Sequence, residues 1–159
     1  MELNSIGLSA EKSKALSHKL NGLLANFQQY YQNLRGIHWN IKGKRFFDLH
    51  VKFEELYNDA NLKVDEIAER ILTLGGVPMH TFEDYMENAQ VPVGKNITKD
   101  EDAIRLIVES LTQLLIFERS ILNASGDAED EGTNSMMSDF IAQQEKTVWM
   151  MKAWLAEDI

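Results

Sequence analysis

Proline occurs only twice in 159 residues, at Pro78 and Pro92, and both fall in one stretch. Proline removes an amide donor and clashes with the preceding turn, so its confinement leaves two long blocks of chain free to be helical. Nothing in either block alternates with the period of two that a strand requires. Apolar residues return instead every three or four positions. The first helix opens near Ser9 and carries Leu16, Leu20, Leu23, Phe27, Tyr30 and Leu34, and one more step of four reaches His38. Gly43 marks a turn. The second helix covers about Phe47 to Leu74, with Leu49, Phe53, Leu56, Ala60, Val64, Ile67, Ile71 and Leu74 on its inner face, and stops at Gly75-Gly76 before Pro78. Residues 77–97 form a long connection, in which Thr81 and Asp84 resemble a capping box for a short helix over Phe82–Asn88. A third helix begins after Thr98, with Glu101 completing a second capping box, and carries Ile104, Ile107, Val108, Leu111, Leu114, Leu115, Ile121 and Leu122. SGDAEDEGTNS reads as a polar, acidic turn. A fourth helix runs from about Asn134 to Ala156 through Met137, Phe140, Ile141, Val148, Met151 and Leu155. The expectation is all-α: one domain over 1–159, a four-helix bundle whose long crossover carries a short helix between the second and third long helices.

Composition narrows the chemistry. The chain has no cysteine, which removes disulfides, thiol catalysis and cysteine–zinc sites. The start, MELNSIGLSAEKSKALSHKL, lacks the basic end and apolar run of a signal peptide, and no apolar run is long enough to span a membrane. A cytoplasmic protein is expected. The net charge of −9 favours cations over phosphates as partners.

His38 and His50 flank the first loop. Glu54 follows His50 by four residues, and Asp65 and Glu69 repeat that spacing further along the same helix. His50, Glu54 and Asp65 each sit one residue after a core position, on the edge of the buried face, with Tyr57 and Asn61 beside them. Imidazole with carboxylates suits iron or manganese, and zinc as well. Taken alone, such spacing is also that of an ordinary solvated face. Distance adds a constraint. Fifteen residues separate His50 from Asp65, roughly 22 Å at a rise of ~1.5 Å per residue. Ligands lie only about 2 Å from their metal. One copy of this helix therefore cannot bring both groups to one ion. Either there are two partial sites, or a second copy, antiparallel about an axis near Ala60, completes each one. The intrachain di-iron design, with Glu-x-x-His on two helices, is absent: Ala15, Arg35, Phe47 and Val77 stand three before the four histidines.

The stretch Ile37–Pro78 closely resembles the Dps family, the DNA-protection-during-starvation proteins or mini-ferritins. The resemblance lies in His38-Trp39-Asn40, Phe46-Phe47-Asp48-Leu49-His50, Phe53-Glu54-Glu55-Leu56-Tyr57, Asp65-Glu66-Ile67-Ala68-Glu69-Arg70 and Leu74-Gly75-Gly76-Val77-Pro78. Glu145-Lys146-Thr147-Val148-Trp149-Met150 is similar to the family's last helix. The resemblance implies a ferritin-like bundle assembled as a hollow shell of twelve subunits. It implies Fe(II) bound and oxidised at two-fold dimer interfaces, with hydrogen peroxide as the typical oxidant, and ferric mineral stored inside. By position it assigns His38, His50 and Glu54 to one chain and Asp65 and Glu69 to its partner, around up to two iron ions per site, with Glu69 bridging or directly ligating iron and Asp65 either a ligand or an acceptor that orients a histidine. Many relatives carry aspartate where Glu54 stands. The resemblance also gives Trp39 two readings, interface anchor or electron donor. It makes Asp127, Asp130 and Glu131 candidates for an acidic three-fold entry pore and Glu55 a candidate for mineral nucleation. His18 and His80 receive no role.

Two other functions compete. Direct DNA binding usually needs clustered cations, yet the first eleven residues contain no Lys or Arg and the chain ends Ala156-Glu157-Asp158-Ile159. Lys12, Lys14 and Lys19 are the only early cations to offer a patch. A helical assembly protein without iron chemistry is the third reading, against which all five ligand positions hold ligand-type residues.

Overall fold

Ser9 caps the first helix, its hydroxyl accepting from the Lys12 amide at 3.3 Å. In a computed structural model that describes residues 1–159, helix α1 then runs without a break over Ala10–Asn40. A short turn brings the chain back into α2, Phe46–Thr73, one residue earlier than the expected start. α2 ends in a Schellman motif: the Gly76 amide donates to the Ile71 carbonyl and the Gly75 amide to that of Leu72. Gly75 has φ +88, which a residue with a Cβ adopts at a cost.

The crossover is held by α1. Asn26, two per cent exposed, accepts from the Gln90 and Val91 amides. Asn33 accepts from Gly94 and donates to the Pro92 carbonyl, and Asn21 pairs in the same way with Val77 and Met79. Three asparagines thus stand in for the neighbouring strand that an extended segment would need for its backbone groups. Between these anchors lies α3, Phe82–Asn88, capped by Thr81 as expected.

α4 covers Asp100–Asp127 and α5 Glu131–Trp154. Thr98 is not the cap of α4. Lys99 occupies that position without a side-chain bond, and Asp100 accepts from the Glu101 amide instead. The acidic turn is also much shorter than expected: helix continues to Asp127, and only residues 128–130 intervene. Asp130 N–H donates to the Ser125 carbonyl while Asp130 itself caps α5, so one residue ends one helix and starts the next.

The four long helices pack α1 on α2, α4 on α5 and α1 on α4, giving the expected all-α ferritin-type bundle. Phe27 stands edge-on to Tyr30 and Phe140 at its centre, and Phe53 is fully enclosed. Burying such a side chain contributes about 3 kcal/mol. The inner face of α2 departs from expectation in one respect. Leu56 and Val64 are half-buried, whereas Lys63 is buried. No helix is long and apolar enough to cross a membrane.

Candidate metal centre

The α1–α2 corner places the two ligand-type histidines face to face. Their rings stack at 3.7 Å between centroids, 11° from parallel, and Phe46 covers the far side of His50 at 4.8 Å. Each Nδ1 lies beside the other residue's backbone carbonyl: His38 Nδ1 is 2.6 Å from His50 O, and His50 Nδ1 is 2.8 Å from His38 O. A carbonyl only accepts, so both Nδ1 atoms carry the hydrogen. In the neutral ring that leaves Nε2 as the atom with the lone pair. The fold thereby fixes tautomer and ring direction at both residues, which is what orienting groups do for metal-binding histidines.

Glu54 stands one turn beyond His50 and is exposed in the single chain, as are Asp65 and Glu69. The expectation that Glu54 and Asp65 sit on the edge of the buried face therefore does not hold within one subunit. The Tyr57 hydroxyl donates to Glu54 Oε1 at 3.1 Å. Partial burial, and then this bond, hold the Tyr57 phenol above its ordinary pKa, so it stays a donor. Asp65 and Glu69 form no ion pair within the chain. Trp39 is 56% exposed, with the Arg35 guanidinium 4.8 Å over its ring. One chain thus gathers His38, His50 and Glu54 at one end of α2 and leaves Asp65 and Glu69 toward the other. No group of three or more His, Asp or Glu within one chain is placed to hold a metal ion.

Several polar residues that the sequence did not single out lie inside. Glu118 is fully buried, accepts from Gln144 Nε2 at 2.6 Å, and is pushed up to about 8 by burial, against the opposing pull of Gln144 and Lys63. Lys63 is bound by Asp59 and by Gln143. Glu118 Oε1 and Gln144 Oε1 have no hydrogen-bond partner. Asp130, a candidate for an entry pore, is one per cent exposed, caps Thr133 and pairs with Arg70 at 2.6 Å, so it is structural. Arg70 lies so close to Gly132 that a Cβ there would come within 2.7 Å of the guanidinium. Asp127 and Glu131 remain exposed.

Comparison with known proteins places this arrangement. The ferritin-like domain family matches residues 17–158. The Dps protein of Vibrio cholerae O1, a ferritin-like diiron-carboxylate protein, superposes with a TM-score of 0.95 at 49% identity, covering 98% of both chains. Dps of Listeria innocua, in crystals soaked with zinc, superposes with a TM-score of 0.87 at 31% identity, covering 90% of this chain and 97% of that one. The DNA protection during starvation protein of Porphyromonas gingivalis is 40% identical over 152 residues, 96% of each chain.

Proposed function

Because this chain belongs to the Dps group of the ferritin-like family, we propose that it is a cytoplasmic ferroxidase and iron store working as a dodecamer. Fe(II) is its substrate, bound between two subunits and oxidised with hydrogen peroxide. His38 and His50, each locked by the other's backbone carbonyl so that Nε2 keeps its lone pair, carry this reading. Glu54 adds a carboxylate beside them. Asp65 and Glu69 lie too far along α2 to join them in the same chain, and an antiparallel second copy supplies them. Both Nδ1–H groups are already engaged, so no imidazole N–H is left for Asp65 to orient. That favours Asp65 as a direct ligand, with Glu69 binding or bridging iron. Peroxide accepts two electrons, one from each of two Fe(II), takes up two protons and leaves as two molecules of water. The Fe(III) product passes to the cavity as mineral.

The test is peroxide-driven Fe(II) oxidation, followed in the ultraviolet. His50→Ala and Glu69→Ala should each be slow. Co-assembling the two variants should restore about a quarter of the sites, since half of random dimers are mixed and each mixed dimer keeps one intact site. A site contained within one chain would regain nothing. DNA is protected in this reading by removal of Fe(II) and peroxide. The amino terminus gives direct binding no support: it folds back on α1, Ala10 N–H donating to Glu2 O and Asn4 accepting from Ile6 and Leu8. Plasmid should not be retarded in a gel shift at low salt.

A further inference from the structure

Glu54 is an exposed glutamate with three free side-chain torsions, and such a ligand reaches a cation in many orientations. One contact restricts it. Tyr57, three residues on and on the same face of α2, donates its hydroxyl to Oε1 and leaves Oε2 open. The Tyr57 ring is itself held. It stands edge-on to His38 at 5.3 Å and 78°, and edge-on to Tyr31 at 6.0 Å and 77°. Tyr31 lies under Arg35, whose guanidinium is 5.3 Å from its ring. A single phenol therefore touches two of the proposed ligands, one on each helix, and its direction is set by α1 while its hydroxyl sets the carboxylate of α2. An aspartate at position 54 would end one methylene short of this hydroxyl, so the tyrosine suits the longer acid found here.

We propose that Tyr57 is a positioning residue of the shared iron site, pinning one oxygen of Glu54 so that the other meets the cation bound by His38 and His50. This rests on the two-subunit reading above. The probe is Co(II), added to assembled, iron-free protein and followed by calorimetry and by its visible d–d absorption. Tyr57→Phe keeps the ring packing and removes only the hydroxyl. It should weaken Co(II) binding about fivefold, the loss of one modest hydrogen bond, and alter the d–d bands. In a Glu54→Ala background the same substitution should change neither. Equal weakening in both backgrounds would mean that the hydroxyl acts without Glu54, and that outcome overturns the proposal. So does unchanged affinity and spectrum in Tyr57→Phe while His50→Ala and Glu69→Ala lose Co(II). If those two variants bind Co(II) like the unaltered protein, the shared site fails and Tyr57 has no ligand to position.

Discussion

Glu118 and Glu69 are both glutamates on long helices of one bundle, yet they sit in opposite circumstances. Glu118 is sealed among Gln144, Lys63 and Tyr30, and burial pushes its carboxyl up to about 8. Glu69 is exposed and has no cationic partner in the chain. Burial makes a carboxyl expensive to ionise and ties it to compensating groups. Exposure leaves it charged and free to meet a cation. Asp130 and Asp65 repeat the contrast, one paired with Arg70 in the interior and the other open on the surface. The acids that hold the bundle together and the acids proposed to bind iron are thus separate sets, and substitutions should separate them.

The largest effect should come from inside. Arg70→Ala leaves the buried Asp130 carboxylate without its cation, and urea unfolding should show a loss of about 3–5 kcal/mol; a loss under 1 kcal/mol would mean that this pair does not join α2 to α5. Next, Asp65→Ala or Glu69→Ala should slow Fe(II) oxidation about 100-fold, equivalent to ~2.7 kcal/mol in the barrier, with the helical circular-dichroism signal unchanged. Unfolding of either variant would erase the contrast. Third is Glu118. It holds its proton more tightly folded than unfolded, where its pKa is near 4.5. The stability this gives is complete below about 4.5 and is lost as pH rises through about 8. Relative to Glu118→Gln, the unaltered protein should lose stability across that window with a slope approaching ~1.4 kcal/mol per pH unit. Parallel pH profiles would show that the carboxyl is ionised in place. The smallest effect belongs to the exposed pair of Arg119 with Glu145. Arg119→Ala should cost under ~1 kcal/mol in the same urea measurement, which calibrates the buried pair against a solvated one.

The helices were legible because their cause is local. Residues spaced by three and four, Gly75 at a left-handed turn and Thr81 before a short helix each announce themselves within a few positions. Other features depend on groups far apart in the chain. Lys63 is held by Asp59, four residues back, and by Gln143, eighty residues on, and only the first of these partners lies within reach of a local reading. Asp130 read as a loop acid for the same reason: its partner, Arg70, is sixty residues away. Its spacing before Thr133 was a local signal of a helix cap that an acidic run concealed. Thr98 misled in the opposite sense, since Asp100 was the closer acceptor for the same turn. At the candidate site, spacing alone indicated that His50 and Asp65 cannot meet in one chain. The mutual locking of the two histidines was invisible, because it needs α1 and α2 side by side.

That locking also divides the two nitrogens of each ring between two tasks. Nδ1 fastens one helix to the next, and Nε2 keeps its lone pair. Only the second nitrogen has a lone pair to offer a metal ion. Under the proposed function, a metal ion can come and go at Nε2 while the Nδ1 bonds that join α1 to α2 stay in place. Emptying and refilling the proposed site would then be a change of occupant in a fixed seat, with no refolding of the corner that builds it.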